Sequence, residues 1–114
     1  GAALEGWYRT EARLHFAARI QALGPMLGER RVQRLTVRAQ KTRWGSCSDR
    51  GTISLNWRLM FYRAELVDYV VAHELSHLYH MDHSANFWKV LEGVVPNYRE
   101  LRTELADCHG RFPF

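Results

Sequence analysis

The sequence predicts an α+β fold, with an N-terminal helix, a small antiparallel or mixed sheet, and helices through the C-terminal half. Three observations favour this class. Apolar residues recur at helical spacing near the N-terminus, alternate with polar residues in two central segments, and return to helical spacing after residue 63. Chains that separate strands from helices in this way usually pack the helices against one sheet. A length of 114 residues suits a single domain spanning residues 1–114.

The first predicted element is an amphipathic helix. Its apolar stripe recurs at helical spacing and consists of Tyr8, Ala12, Phe16, Ile20 and Leu23. Gly24-Pro25 follows this stripe. Because proline lacks a backbone N–H and clashes with the preceding turn, we expect the helix to end there.

Two strands and an intervening loop come next. Residues 34–40 alternate polar and apolar side chains, with Leu35 and Val37 on the apolar side, as in a half-buried strand. Residues 52–57 alternate in the same way and predict a second strand. The segment KTRWGSCSDRG, residues 41–51, contains two glycines and predicts a loop or a bulged turn.

Three helices are expected in the C-terminal half. The first begins near Ala64, is apolar on most sides and should therefore be buried. We expect it to break near Met81-Asp82. Ser84 could cap a short helix that Pro96 stops, and Asn97 then opens a final helix.

Composition excludes some classes of protein. The formal net charge of +4 and the 25% of charged residues are ordinary for a globular protein. No apolar run approaches the roughly 20 residues that cross a bilayer, and the N-terminus does not resemble a signal peptide. Cys47 and Cys108 lack CxxC spacing. We interpret them as reduced thiols and expect a cytoplasmic protein without membrane contact.

The segment VVAHELSHLYHMDHSANFW, residues 70–88, contains a pattern typical of metal binding. His73 and His77 are one helical turn apart, so both imidazoles project from one face and could bind one zinc ion. Glu74 lies roughly 100° further round the helix, where its carboxylate could hold a water molecule instead of the metal. This HExxH arrangement is typical of metalloproteases, in which the glutamate acts as the general base.

The third metal ligand is a choice between two further histidines. On a continuous helix His80 shares a face with His73, but their Cα atoms would be roughly 10.5 Å apart along the axis, too far for His77 to bind as well. If the helix breaks after His80, His83 can return from the loop and leave a fourth position for water. We therefore expect His83 as the third ligand. The alternative is a downstream carboxylate, namely Glu92, Glu100 or Glu104. Zinc is the expected ion, and nickel or cobalt could substitute for it.

Three other features could contribute to function. Cys47 could be a fourth ligand in a resting state, although no spacing rule matches it to the helix. Tyr69, one turn before His73, could donate to an oxyanion, but packing beside the site is the simpler interpretation. The segment from Arg30 to Arg43 has six basic and no acidic residues. It could bind phosphates, but we favour a solvated strand face.

Two blocks of the sequence resemble a known family. QKTRWGSCSDRGTISLNWRL and VDYVVAHELSHLYHMDHSANFW, residues 40–59 and 67–88, resemble the YgjP-like metallopeptidase domain family of predicted metal-dependent hydrolases. The resemblance implies a zincin-like fold and a peptide or protein substrate. It also implies metal ligands at His73, His77 and His83, with Glu74 as general acid/base. Family members carry a further N-terminal region, so the chain could be the C-terminal catalytic part of a longer protein.

The resemblance has two further implications, and the sequence differs from the usual family pattern near the third histidine. It implies that the strand from Thr52 to Trp57 runs beside the metal and pairs with an extended substrate. More distant relatives include SprT-like proteases that act on DNA-bound proteins, so a nucleic-acid-associated metal-binding module or protease is the alternative function. The departure is Asp82-His83-Ser84, where the family usually has Asn-His-Ser. Asp82 adds negative charge near the expected metal.

Overall fold

A computed structural model describes residues 1–40 and 43–109, apart from the side chains of Cys108 and His109. The described chain contains α-helices, β-strands and one short 3-10 helix. In chain order they are α1 Ala2–Leu27, β1 Arg34–Arg38, β2 Gly45–Cys47, β3 Thr52–Asn56, the 3-10 helix Trp57–Phe61, α2 Ala64–Ser76, α3 Ala85–Val94 and α4 Tyr98–His109. The predicted α+β class, with a helix before the sheet and helices after it, is confirmed.

Helix α1 continues one turn past its predicted end, with Pro25 inside its last turn. The prediction that Gly24-Pro25 ends the helix is wrong. Gly24 has no Cβ, so the clash that usually drives the residue before proline out of helical conformation is reduced. The helix ends instead at Gly28, where φ is 154° and an added Cβ would lie 2.6 Å from the Tyr79 hydroxyl oxygen.

The sheet is mixed and its strand order is β1-β3-β2. β1 runs parallel to β3, and β2 runs antiparallel to it with Gly45 opposite Leu55. The loop predicted for residues 41–51 is therefore wrong for residues 45–47, while residues 41 and 42 lie outside the described chain. Three residues are too few to show a period of two, so pairing with β3 decides that this segment is a strand.

Strand β3 occupies the centre of the sheet and is largely buried on both faces. Its polar residues are bonded to neighbours: the Ser54 hydroxyl lies 2.5 Å from the Thr36 hydroxyl, and Asn56 Nδ2 donates to the Gln40 carbonyl oxygen at 2.8 Å. The predicted strand is confirmed except at Trp57, which begins the 3-10 helix. The polar residues that alternate with apolar residues in this strand are hydrogen-bonded within the protein. The polar side of the strand therefore does not face solvent.

Helix α2 forms the centre of the helical layer and contacts α1, α3, α4 and β2. Its start at Ala64 and its burial are as predicted. It ends at Ser76, several residues before the predicted break at Met81-Asp82. The N–H groups of His77, Leu78 and Tyr79 donate to carbonyls three residues earlier, so the helix ends in a tightened turn.

The last two helices begin and end close to their predicted positions. Ser84 caps α3, with its hydroxyl accepting from the Phe87 N–H at 3.4 Å. α4 buries Tyr98, Leu101 and Leu105 against the rest of the helical layer. Among the described residues, no helix combines the length and apolar character that a membrane crossing would need.

An ion pair joins the start of α2 to α4 and should make stability depend on pH. Arg63 Nε donates to Glu104 Oε2 at 2.8 Å, and Arg63 Nη2 donates to Glu104 Oε1 at 2.5 Å. The hydrogen bonds from Arg63 lower the pKa of the Glu104 carboxyl below its ordinary value of 4.5. A depressed folded-state pKa means that the pair stabilises the fold above the unfolded pKa and loses this contribution as pH falls through the folded pKa.

We therefore expect Glu104→Gln to weaken the decline in unfolding free energy as the pH falls through about 4.5 and below. Urea denaturation at a series of pH values measures this slope. Glu100→Gln is the matched control, since Glu100 is exposed on the same helix and has no ion pair to a described residue. Equal slopes in wild type and Glu104→Gln would contradict the assignment.

Candidate metal centre

Three imidazoles meet at the C-terminal end of α2. One ring nitrogen from each of His73, His77 and His83 lies within 4.8 Å of the other two. The ring centroids are separated by 5.1 Å for His73–His77, 4.9 Å for His77–His83 and 5.2 Å for His73–His83. His73 and His77 are buried, whereas His83 is exposed. Such a triangle of nitrogens can converge on a single ion.

The end of α2 and the start of α3 create this triangle. His73 lies in α2 and His77 caps its C-terminal end. The chain then turns at residues 77–79 and brings His83 back before the cap of α3. Phe87, in the first turn of α3, is fully buried beneath all three rings, with centroid distances of 5.0 Å to His73, 4.5 Å to His77 and 4.9 Å to His83. Phe87 lies in the short helix predicted after Ser84, but its spacing gave no sign of contact with the histidines.

The backbone at His80 orients His77. His77 Nδ1 lies 3.0 Å from the carbonyl oxygen of His80. A carbonyl only accepts hydrogen bonds, so Nδ1 carries the proton and Nε2 keeps its lone pair for a metal. The His80 side chain does not belong to the cluster found among the described residues. His80 therefore supports the site through its backbone.

Glu74 is almost fully buried beside these rings. Its Oε2 lies 3.1 Å from His73 Nδ1, and its Cγ packs so closely on β2 that a Cβ added to Gly45 would be 3.1 Å away. A cavity of about 250 Å³ opens between α2 and β2. Its lining comprises His73, Glu74, His77 and His83 together with Arg43, Gly45, Ser46, Cys47 and Met81. Water and a substrate group can therefore reach the carboxylate and the imidazoles together.

The donor set fits a divalent transition metal. Although the His83 residue is partly open to solvent, the desolvation of its ring against the cluster, followed by the nearby His73 and His77, lowers its pKa below the ordinary value of 6.5. The His83 ring is thus neutral at physiological pH, which is the form that binds metals. Neutral imidazoles suit zinc, nickel or cobalt, whereas calcium and magnesium prefer oxygen ligands.

The carboxylates considered as alternative ligands lie elsewhere. Glu92 faces Arg99 at 3.5 Å and Glu104 is bonded to Arg63, while Glu100 is exposed on α4. None of them belongs to the histidine cluster, which was sought among the described residues alone.

Cys47 and Tyr69, the two weaker candidates, occupy different positions. Cys47 is a free thiol that lines the cavity, and burial together with the Glu74 charge raises its pKa to about 11. Without a metal it is therefore a protonated thiol at neutral pH. Its Sγ does not belong to the cluster of potential ligands found among the described residues. Tyr69 is fully buried beside His73, with ring centroids 5.9 Å apart, and it is not among the residues that line the cavity. Its position agrees with the expectation that it packs beside the site.

The strand beside the cavity is β2, which differs from the prediction. The strand from Thr52 to Trp57 was expected to pair with a substrate, but β1 and β2 occupy both edges of β3, which forms residues 52–56 of it. A central strand has no backbone groups left to pair with a further strand. In the described part of the chain β2 pairs with β3 alone, so Gly45–Cys47 offers its other edge to the cavity that it lines.

The basic segment from Arg30 to Arg43 does not form one surface. Arg30 and Arg31 line cavities near the turn after α2, and Arg43 lines the cavity that contains the histidines. Arg34 and Arg38 are exposed at alternate positions of β1, as a solvated strand face requires. Lys41 lies outside the described residues. Nucleic-acid binding through this segment stays a prediction.

Comparisons with known proteins agree with this architecture. The metallopeptidase zymogen of Pyrococcus abyssi, abylysin, is 25% identical and superposes with a TM-score of 0.78 over 87% of this chain and 99% of that chain. The metallopeptidase zymogen of Methanocaldococcus jannaschii, jannalysin, is 19% identical, with a TM-score of 0.68 over 81% of this chain and 94% of that chain. The comparison with curated proteins gave no match. The zincin-like fold is thus confirmed.

A protein-family model matches nearly the whole chain. The model described as "YgjP-like, metallopeptidase domain" matches residues 1–107 and so includes α1, the sheet, α2 and α3. Membership implies a divalent metal, typically zinc, and peptide or protein substrates. The chain therefore belongs to the YgjP-like metallopeptidase family and is a metal-dependent hydrolase.

Proposed function

We propose that the protein is a zinc-dependent metallopeptidase in which His73, His77 and His83 hold the ion and Glu74 is the general base. One observation carries this proposal: a buried carboxylate shares a small cavity with three converging imidazoles. A purely structural metal site needs no carboxylate of this kind. The oxygens of an ionised carboxylate only accept hydrogen bonds. Burying such a group costs free energy unless a proton or a hydrogen-bond donor reaches it.

Glu74 handles the proton in the proposed reaction. A zinc ion held by three imidazoles supplies Lewis acidity in the cavity. The Glu74 carboxylate accepts a proton from the attacking water and then delivers it to the leaving amine as the peptide bond breaks. His77, fixed by its hydrogen bond to the backbone at His80, keeps one ring orientation throughout. Replacing Glu74 with glutamine tests the role, since hydrolysis should be lost while the metal is retained.

The edge of β2 orients the substrate in this proposal. An extended peptide can add to Gly45–Cys47 as a further strand, so that main-chain hydrogen bonds provide affinity without demanding a particular sequence. Because Gly45 packs against the Glu74 side chain, the peptide bond to be cleaved would lie nearest Gly45. Antiparallel pairing, which is slightly the more stable arrangement, directs the residues before that bond towards Cys47.

Gly45 should be needed both for stability and for the placement of Glu74. An added Cβ would lie 2.9 Å from Leu55 Cδ2, 3.1 Å from the Ser54 carbonyl oxygen and 3.1 Å from Glu74 Cγ. The Ser54 carbonyl belongs to the sheet and cannot yield as a flexible side chain can. We therefore expect Gly45→Ala to lower the free energy of unfolding by about 1–3 kcal/mol and to reduce kcat/KM without loss of bound metal.

Urea denaturation, metal analysis and peptide cleavage measure these three effects. Gly93→Ala in α3 is the matched control, because no atom lies within 4 Å of its added Cβ. Alanine in a helix should stabilise that variant by up to about 1 kcal/mol. Wild-type stability and turnover in Gly45→Ala would contradict the close packing of β2 on Glu74.

A further inference from the structure

A second cavity adjoins the candidate metal centre and is basic. It has a volume of about 390 Å³ and shares His77 and Met81 with the lining of the first cavity. Arg30, Arg31 and Arg50 line it. Asp49 also lines it and is the single carboxylate among the described lining residues. Three guanidinium groups against one carboxylate leave a positive charge beside the site.

Backbone hydrogen bonds hold the walls of this basic pocket together. The wall from the turn between β2 and β3 is tied to the segment before β1, since the Gln33 N–H donates to the Gly51 carbonyl oxygen at 2.9 Å. The wall from the turn after α2 is tied to the same segment, since the Arg30 N–H donates to the Tyr79 hydroxyl at 2.9 Å. The pocket is therefore formed before any ligand binds, which reduces the entropic cost of binding.

The positive charge in the pocket is not neutralised by ion pairs. Arg30 Nη1 donates to the Leu78 carbonyl oxygen at 2.7 Å, and its guanidinium lies 5.4 Å from the centre of the Tyr79 ring. These neutral contacts fix the position of the charge without cancelling it. Within residues 1–40 and 43–109, neither Arg31 nor Arg50 forms an ion pair with a carboxylate. An anionic group entering the pocket would meet the fixed charge of Arg30 and the charges of Arg31 and Arg50, which are not offset by these ion pairs.

We propose that this basic pocket selects substrates with an acidic side chain before the cleaved peptide bond. The inference rests on the proposed function, because the strand added to β2 sets the direction of the substrate. Ser48, which lines the basic pocket, lies three positions after Gly45, and an extended chain covers about 10 Å over that distance. An aspartate or glutamate about three residues before the cleaved bond would therefore reach the arginines.

The arrangement of charges favours an acidic peptide over a nucleic acid. The basic pocket is concave and localised beside the histidines. Arg34 and Arg38 lie on β1, at the other edge of the sheet, and do not line it. A nucleic-acid backbone needs a basic track several phosphates long, whereas one or two carboxylates need only a pocket.

Binding to inactive protein tests the pocket separately from catalysis. Fluorescein-labelled peptides of equal length, one carrying three glutamates and the other three lysines, are titrated against Glu74→Gln protein. A single-stranded oligonucleotide is the third probe. We expect the acidic peptide to bind best, and Arg31→Glu with Arg50→Glu to weaken its binding about tenfold or more. Arg34→Glu with Arg38→Glu makes the same change in net charge outside the pocket and should leave peptide binding unchanged.

Cleavage of a mixed peptide library by the active protein tests the position of the acidic residue. Mass spectrometry of the products should show aspartate and glutamate enriched about three residues before the cleaved bond, and the Arg31/Arg50 double variant should lose this enrichment. Cleavage without any acidic preference would overturn the pocket and leave the peptidase intact. Acidic-peptide binding without any cleavage would support the pocket while refuting the proposed function. If the oligonucleotide bound most tightly of the three probes, and both double variants weakened its binding equally, the proposed peptide subsite would be wrong. The basic residues would then bind nucleic acid.

Discussion

Replacing Glu74 with glutamine should abolish peptide hydrolysis while the metal stays bound. Glutamine has nearly the same shape and fits the same buried position between α2 and β2, but it cannot accept a proton from water. General-base groups typically contribute about 100- to 10,000-fold to rate, so kcat should fall by that factor. Because the three imidazoles are unchanged, the molar ratio of metal to protein should equal that of wild type.

Elemental analysis and cleavage of a peptide library measure the two properties on the same sample. Glu11→Gln is the matched control, since it removes the same charge from an exposed position on α1. Near-normal turnover in Glu74→Gln would end the general-base assignment. Loss of the metal from Glu74→Gln would mean that Glu74 holds the metal, either as a ligand or by orienting His73, contrary to the proposed division of roles.

Replacing His83 with alanine should remove the metal, whereas replacing His80 with alanine should not. His83 contributes one of the three clustered nitrogens, so its loss leaves two protein ligands. Removing a residue that only hydrogen-bonds to a metal ligand lowers metal affinity by about 10- to 100-fold. Removing a direct ligand should lower the affinity by more than that. His80 acts on His77 through its carbonyl oxygen, which alanine retains.

Competition with a chromophoric chelator measures zinc affinity for both variants, and circular dichroism confirms that each is folded. The two substitutions remove the same side chain from positions three residues apart, so their difference isolates the role of the cluster. Equal metal loss in both variants, or full retention of zinc by His83→Ala, would refute the proposed ligand set.

The sequence was enough to predict that His73, Glu74 and His77 lie close together, because their relationships are local. His73, Glu74 and His77 lie within five positions, and helical geometry alone fixes which of them share a face. The same geometry set His80 aside, since three ligands on successive turns do not converge. The assignment of His83 as the third ligand needed one further assumption, which is a break in the helix. The chain does turn, although α2 ends at Ser76 and so leaves the helix earlier than predicted.

Features that depend on distant segments were missed or placed wrongly. β2 is a strand only because β3 lies beside it, and a three-residue stretch containing a glycine carries no local signal for that pairing. The substrate strand was assigned to the segment from Thr52 to Trp57 because the sequence does not reveal which strand occupies the centre of the sheet. Phe87, beneath all three histidine rings, and Gly45, against Glu74, became part of the site only through packing.

The sequence by itself determined the α+β class, the helix with His73, Glu74 and His77, and the cap at Ser84, because each depends on residues close together in the chain. The tertiary structure alone decided that β2 borders the cavity and that Arg31 and Arg50, nineteen positions apart, line one basic pocket. Strand order and the contacts between turns are set by burial and hydrogen bonding across the whole molecule. Local periodicity does not encode them.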